Sequence, residues 1–269
     1  MQSGEEEINM AGGLKTETSG GVFHVTIDGQ DEGNRLSREV LHGLRDICRR
    51  LKDDPTVHVV TVTGAGREFF STGLLTPSLK EALGKEGVLD LVRTANDVFD
   101  AIEALPQIVV AGFNGEVRAG AAEMALACDM RIAASHSSLS WPEAKWGCFP
   151  GAGAPFRLPA IVGDAKALEL ICSARPVDSS EMERIGLVNR VVPSDELLDA
   201  LRDLAGTLAG NGPFALRGAK RIVRLRRESG EVAARKLAFE LREAFEWTAD
   251  ADEGVAASLQ GRKPVFTGQ

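Results

Sequence analysis

Residues 107–129 read QIVVAGFNGEVRAGAAEMALACD. The β-branched run at 107–112 is typical of a buried strand, and the glycines after it indicate a tight loop. The small residues at 119–127 then predict a short helix that carries one carboxylate, Glu123, near its start. The first backbone N–H groups of a helix have no intrahelical partners and attract negative charge. This stretch therefore predicts a site where developing negative charge meets an acid or base about one turn away.

Strand and helix patterns alternate around this stretch. β-Branched or alternating runs predict strands, and apolar residues three and four positions apart predict helices. Ser37 is the expected N-cap of the first helix, and Pro106 is expected to end the second. The predicted order is strand 22–27, helix 36–51, strand 57–66, helix 89–105, strand 107–112, helix 119–127 and strand 129–134. This order is typical of an α/β domain with crossover connections.

Helical patterns dominate after Pro150. They cover 165–173, 179–186, 194–210, 213–227 and 231–248, and only 187–193 has the pattern of an extended segment. We expect three parts: a disordered N-terminal tail at 1–17, an α/β core at 18–200 and a helical C-terminal region at 201–269.

Five basic residues recur at helical spacing in the C-terminal part. This spacing favours a solvent-exposed helix face, and contact with a ligand phosphate is the alternative. The residues are Arg217, Lys220, Arg221, Arg224 and Arg227.

Composition limits the class of protein. The 269 residues are 43% hydrophobic, enough for one large domain or two modest ones, and the net charge of −8 argues against nucleic acid as a partner. No apolar run reaches the roughly 20 residues that cross a bilayer, so we expect no membrane insertion. The acidic residues 1–10 lack the apolar core of a secretory signal. The four scattered cysteines contain no C-x-x-C pair, which favours reduced thiols in the cytoplasm.

A second carboxylate follows the first in the stretch SWPEAKWGCFPGAG, at Glu143. Two carboxylates after a loop with free N–H groups make a stronger prediction of an acid-base site than either alone. The histidines and cysteines have no metal-ligand spacing, so we expect no metal site. GAG at 64–66 lacks the rest of a phosphate loop and is interpreted as a strand-ending turn. Because Phe156 replaces the last glycine, GAGAP at 151–155 fails the dinucleotide fingerprint.

Several ordered motifs resemble those of the enoyl-CoA hydratase/isomerase (crotonase) family. VVTVTGAGREFFSTG resembles the family's first oxyanion segment, and NGEVRAGAAEMALACD resembles its N-G-x-x-x-G-G-G-x-E-L-A-x-x-C-D segment. SWPEAKWGCFPGAGAPFRLP resembles the stretch that carries the second glutamate, and ARPVDSSEMERIGLVNRVVP resembles the segment after it. The similarity runs from about VFHVTI to the final RKPVFTG.

The resemblance implies a ββα spiral core with a C-terminal helical trimerisation region. It also implies roles for individual residues: the backbone N–H groups of Leu74 and Gly120 form the oxyanion hole, and Glu123 and Glu143 are the catalytic glutamates. Lys263 and Phe266 are implied in binding the CoA moiety. The family pattern A-G-A-D is replaced here by Ser71-Thr72-Gly73-Leu74-Leu75, and the glycine triplet by Ala119-Gly120-Ala121.

The resulting hypothesis is a 2-enoyl-CoA hydratase that adds water across the α,β double bond of an enoyl-CoA thioester without a metal or redox cofactor. The alternatives are a Δ3,Δ2-enoyl-CoA isomerase and a non-catalytic acyl-CoA-binding protein. By resemblance, we expect a homotrimer or homohexamer.

Overall fold

The computed structural model describes residues 8–10 and 12–268, with the side chains described from residue 12 onward. The strands are β1 (Ile8–Met10), β2 (Leu14–Ser19), β3 (Val22–Ile27), β4 (Val59–Gly64), β5 (Phe69–Ser71), β6 (Ile108–Phe113), β7 (Glu116–Arg118), β8 (Met130–Ala134), β9 (Ser138–Ser140), β10 (Val177–Asp178) and β11 (Arg190–Val192).

Ten α-helices are described in residues 12–268. They are α1 (Arg38–Lys52), α2 (Pro77–Ala104), α3 (Gly120–Ala127), α4 (Ala154–Arg157), α5 (Pro159–Val162), α6 (Asp164–Ser173), α7 (Ser179–Arg184), α8 (Leu197–Ala209), α9 (Pro213–Phe245) and α10 (Ala249–Gln260). The predicted α/β class is confirmed. Ser37 caps α1 as expected, because its Oγ accepts from the Val40 N–H at 3.3 Å. α10 has no counterpart among the predicted elements.

The larger sheet has the strand order β1-β2-β3-β4-β6-β8-β11. β1, β2 and β3 pair antiparallel, and from β3 onward neighbouring strands are parallel. All residues of β4 and β6 are buried, because α1, α2 and α3 contribute to a core on one face and α8 to a second core on the other. A parallel strand covered on both faces is apolar along its whole length, which explains the unbroken β-branched runs in the sequence.

The smaller sheet has the strand order β10-β9-β7-β5. β5, β7 and β9 are parallel and only three residues long. The loop between β4 and β5 is held by two amide side chains. Asn114 accepts from the Gly64 N–H at 2.9 Å and donates to the Phe69 carbonyl at 3.0 Å, and Asn34 donates to the same carbonyl at 2.8 Å. The glycines at 64–66 thus belong to a strand-ending turn, as interpreted from the sequence.

The expected disordered tail at 1–17 is wrong for residues 14–17, which belong to β2. β2 begins at Leu14, whose side chain is 1% exposed, and pairs with β3 along its whole length. Gly20 and Gly21 both have positive φ, at 53° and 79°, and such a Gly-Gly pair forms a tight hairpin between two strands. The core therefore includes residues 14–17. Residues 1–7 and 11 lie outside the described part of the chain.

The expected boundary between residues 200 and 201 falls inside α8. Leu197, Leu201 and Ala205 pack against β4, β6 and β8, so α8 belongs to the α/β core. The C-terminal helical region begins after Ala209. In that region the two helices predicted at 213–227 and 231–248 form α9, which is interrupted at Gly230, where φ is 82° and ψ is 177°.

The basic residues of α9 were expected to face solvent, but three of them anchor the helix to the core. Lys220 donates to the Gln107 carbonyl at 2.8 Å and to Asp129 at 2.6 Å, and its side chain is only 8% exposed. Arg224 donates to the Glu103 carbonyl at 3.2 Å, and Arg227 pairs with the Glu103 carboxylate. Over the described residues, no helix is long and apolar enough to cross a membrane.

Candidate active site

Three short parallel strands bring the predicted site residues to one edge of the smaller sheet. β5 leads through Gly73 to Leu74, β7 leads through Ala119 to Gly120, and β9 leads through Trp141 to Glu143. Phe69 and Ser71 pair with Glu116 and Val117, and Val117 and Arg118 pair with Leu139 and Ser140. Because carboxyl ends of parallel strands lie at the same edge, residues distant in sequence meet there.

Leu74 and Gly120 lie beside each other at this edge. A Cβ on Gly73 would be 3.0 Å from the Gly120 nitrogen, and one on Gly120 would be 2.5 Å from Leu74 Cγ. Within 12–268, neither the Leu74 nor the Gly120 N–H donates a hydrogen bond to the protein. Two adjacent donors without acceptors, one at the start of α3, form a place that suits an anionic oxygen.

Ala119 holds the turn into α3 in an unusual conformation, with φ 54° and ψ −127°. Positive φ is uncommon for a residue with a Cβ, and such strain is found where a site requires it. The Ala119 N–H donates to the Ser140 carbonyl at 2.9 Å, and its carbonyl accepts from the Glu123 N–H at 3.2 Å. These two bonds set the direction in which the Gly120 N–H points.

Glu123 lies in the first turn of α3, among small residues that are all buried. It is 2% exposed, and Oε1 accepts from the Ala152 N–H at 2.8 Å and from the Ala154 N–H at 3.1 Å. Burial raises the pKa of Glu123 to about 8; the nearby Glu143 carboxylate adds to the rise, and the two N–H bonds oppose it. The group is thus titratable near neutral pH, as an acid-base catalyst requires.

Glu143 lies in the short 3-10 helix Pro142–Trp146 and is 9% exposed. Burial raises the pKa of Glu143 to about 7, against the hydrogen bond from its own backbone N–H. Its Oε2 is buried and has no hydrogen-bond partner in the described residues, so it is available to a water molecule or a substrate. The Glu143 charge also contributes to the raised pKa of Glu123, so the two carboxyl groups influence each other's environment.

Lys263 and Phe266 are not brought to this edge within the chain. Lys263 is exposed. Phe266 lines a cavity of about 730 Å³ between α9 and α10, with Phe214 and Phe245 among its neighbours. None of the four residues Leu74, Gly120, Glu123 and Glu143 lines that cavity.

Sequence reasoning missed the segment that holds Glu123. The GAGAP stretch was considered as a dinucleotide motif and as part of the second-glutamate stretch but not as a binding site for Glu123, yet its N–H groups at Ala152 and Ala154 bind that carboxylate. The signal was the position of Arg157 just after these glycines, since a buried arginine needs several acceptors close by. The arrangement as a whole can stabilise an oxyanion and transfer protons beside it.

Known proteins share this sequence and fold. The family model for enoyl-CoA hydratase/isomerase matches residues 17–269. A crotonyl-CoA hydratase of Syntrophomonas wolfei is 32% identical over 87% of this chain and 89% of its own length. A carnitinyl-CoA dehydratase of Proteus mirabilis is 31% identical over 97% of this chain and 100% of its own.

The crystal structure of an enoyl-CoA hydratase from Bacillus anthracis has a TM-score of 0.93 at 30% identity, and the match covers 96% of this chain and 100% of that one. The family match and these hydratase and dehydratase relatives support an enzyme of hydro-lyase type. The chain belongs to the enoyl-CoA hydratase/isomerase family.

Proposed function

We propose that this protein is a 2-enoyl-CoA hydratase that adds water across the α,β double bond of an acyl-CoA thioester. The observation that carries the proposal is the pair of buried glutamates with raised pKa values beside two backbone N–H groups that have no acceptor among residues 12–268. The relatives named as a crotonyl-CoA hydratase and a carnitinyl-CoA dehydratase support the same reaction type.

In the proposed reaction, the thioester oxygen accepts from the N–H groups of Leu74 and Gly120. Water oxygen bonds to the β-carbon while one glutamate of the pair takes the proton that the water loses. The π electrons move toward the α-carbon and the thioester oxygen, and the other glutamate gives its proton to the α-carbon. The carbonyl is restored, and the pair has exchanged one proton for another. Each oxyanion donor contributes about 3–4 kcal/mol to such a step.

The test separates the hydratase from its alternatives with two substrates. Crotonyl-CoA should lose its enoyl-thioester absorbance and yield the 3-hydroxyacyl product in mass spectrometry. A 3-enoyl-CoA should react much more slowly. A rise in absorbance with the 3-enoyl-CoA and none of the first reaction would favour the isomerase. Tight binding of both esters without turnover would favour the non-catalytic protein. The hydratase is favoured because the chain has both glutamates in buried positions, whereas an isomerase needs only one glutamate to shuttle a proton.

A trimer or a multiple of three is also proposed. Support comes from large apolar side chains that α9 and α10 leave exposed: Val232, Phe239, Val255 and Leu259, with Trp247 between the helices. A monomer rarely exposes so many together. Deletion from residue 231 onward should abolish both assembly and activity in light scattering and turnover assays. The point variant Phe239→Glu should weaken assembly without touching the core, and an active monomeric wild type would contradict the proposal.

Three minor parts of the proposal follow from it. Phe266 and Lys263 bind the CoA moiety, and Phe266 then acts across a subunit interface. No metal or redox cofactor takes part, because the proton transfers are assigned to the two glutamates. The protein works in the cytoplasm, which suits its four free cysteines.

A further inference from the structure

Arg157 is a buried arginine that belongs to no role given so far. Its side chain is only 2% exposed, and it lies at the end of α4. Nε donates to Glu103 at 2.9 Å, one terminal nitrogen pairs with Asp100, and the other donates to the Ala152 carbonyl at 3.2 Å. The guanidinium also lies over the Phe156 ring, 4.9 Å from its centroid.

The bond to Ala152 connects this arginine to the acid-base pair. The Ala152 N–H donates to Glu123 while the Ala152 carbonyl accepts from Arg157, so the residue is held from both sides. Gly153 follows with φ 131°, and a Cβ there would collide with the guanidinium. Arg157 therefore constrains the backbone of residues 152–154. This segment also supplies both N–H groups that bind Glu123.

We propose that Arg157 is a positioning residue: it fixes residues 152–154 so that two backbone N–H groups orient the Glu123 carboxylate for proton transfer. The planar fork of arginine suits this task, because it binds two carboxylates and one carbonyl at fixed angles, which a lysine does not. The inference rests on the proposed function, in which Glu123 is an acid-base group.

Glu103 extends the same arrangement to the C-terminal region. Its carboxylate receives Arg157 and also pairs with Arg227 of α9, and its backbone carbonyl accepts from Arg224. Burial opposes ionisation of Glu103, but hydrogen bonding and charge from Arg157 and the charges of Arg227 and Arg224 hold its pKa below the ordinary value. The acid that anchors Arg157 is thus kept charged, and α9 packs against it.

The positive charge of Arg157 also favours the ionised form of Glu123. The positive charge of Arg157 and the N–H bonds from Ala152 and Ala154 all lower the pKa of Glu123, against the larger effect of burial. Without the arginine, Glu123 would lose the charge and an oriented donor together. Its carboxyl should then hold its proton to higher pH.

The test compares Arg157→Lys, Arg157→Met and Glu103→Gln with the matched control Arg175→Met. Arg175 also binds two carboxylates, those of Glu169 and Glu181, but it lies between α6 and α7 and has no bond to residues 152–154. The first readout is an infrared titration of the protonated carboxyl band that Glu123→Gln removes. The second is the pair kcat and KM for crotonyl-CoA across pH.

We expect the Glu123 titration to shift upward by about one pH unit in Arg157→Met, and by less in Arg157→Lys and Glu103→Gln. We expect kcat to fall roughly 10- to 100-fold in the same order, with KM changed less than about threefold, because misplacement of a catalytic group lowers the rate more than binding. Arg175→Met should leave both readouts unchanged.

The proposal is overturned if folded Arg157→Lys and Glu103→Gln keep the wild-type titration and kcat, even when Arg157→Met fails to fold. A loss of thermal stability without any change in these readouts would mean that Arg157 has a structural role only, which also overturns it. If wild-type protein does not hydrate crotonyl-CoA, the proposed function fails separately. The infrared titration then still decides whether Arg157 positions Glu123, because it needs no substrate.

Discussion

In the larger sheet, β4 and β6 are six residues long and buried throughout, whereas β5, β7 and β9 of the smaller sheet have three residues each. The long strands are held by apolar packing on two faces. The short ones depend on side-chain amides such as Asn114, and their ends carry Glu143 and the turns that contain Leu74 and Gly120. We infer that packing in the larger sheet provides most of the stability and that the edge of the smaller sheet carries the chemistry, so a substitution in the core of the larger sheet should leave the chemistry unchanged.

The largest effect is expected at the glutamates at the edge of the smaller sheet. Glu123→Gln and Glu143→Gln should each lower kcat for crotonyl-CoA about 10²–10⁴-fold, because an amide keeps the shape but does not exchange the proton. Circular dichroism should remain that of the wild type. Glu116→Gln is the matched control, since Glu116 lies in β7 but pairs with Arg118, which is partly exposed. Near-normal turnover in either of the first two variants would rule out the two-glutamate mechanism.

The next effect tests the contact between the turns that contain Leu74 and Gly120. In Gly120→Ala the new Cβ would lie 2.5 Å from Leu74 Cγ, so one turn has to move, and one of the two proposed N–H donors should shift away from the thioester oxygen. Loss of one donor lowers kcat roughly 10²–10³-fold. Steady-state assays with crotonyl-CoA measure this loss of kcat.

The double variant Leu74→Ala with Gly120→Ala sharpens the test, because it removes the atoms in collision while both backbone donors remain. We expect it to recover part of the lost kcat, with Leu74→Ala alone as the reference. A double variant as slow as Gly120→Ala would show that the contact with Leu74 is not the cause.

The same division explains what the sequence could predict. β4 and β6 were predictable because unbroken β-branched runs are typical of buried strands, and Glu123 was found because an acid among alanines is unusual. β5, β7 and β9 were missed because three residues are too few to show a period of two. Their parallel pairing joins positions about 20 to 50 residues apart, so no local pattern records it. Glu143 was found from its motif and its family resemblance.

The role of Arg157 was missed for a different reason. Its partners Glu103 and Asp100 lie more than 50 residues earlier in the chain, and only the tertiary fold brings them together. The basic face of α9 was misjudged in the same way. Helical spacing indicates which side chains share a face, but it does not indicate that Asp129 and Glu103 lie opposite them.

A smaller effect is expected on stability, because the buried Glu123 carboxyl lowers the free energy of unfolding at high pH. The pKa of Glu123 is raised from 4.5 to about 8 by burial, so the folded state binds more protons than the unfolded state between these values. The free energy of unfolding should therefore fall as pH rises through that window. Glu123→Gln removes the titration, so it should stabilise the protein by about 1–3 kcal/mol at pH near 8 and hardly at pH near 5. Thermal unfolding at the two pH values measures the difference.

Glu253→Gln is the control, because the pKa of Glu253 is lowered whereas that of Glu123 is raised. Arg262 and the Val265 N–H lower the pKa of Glu253 to about 2, so this carboxylate stays charged over the whole window from pH 5 to 8 in the folded protein. Its contribution is lost only as pH falls below the unfolded value toward 2. The change in melting temperature for Glu253→Gln should thus be nearly equal at the two pH values. If the change in melting temperature for Glu123→Gln is also equal at the two pH values, the pKa of Glu123 is not raised to about 8.

The smallest effect tests the larger sheet. Ile132 lies in β8 with a fully buried side chain, and it packs in the core between the sheet and α8. Ile132→Val removes one methylene group, which costs about 0.5–1.5 kcal/mol and should lower the melting temperature by a few degrees. Because Ile132 has no bond to the turns or the glutamates, kcat and its pH profile at a temperature well below melting should stay within about twofold of the wild type. A shifted pH profile in this variant would contradict the division between the two sheets, since packing in the larger sheet would then also control the proton chemistry at the edge of the smaller one.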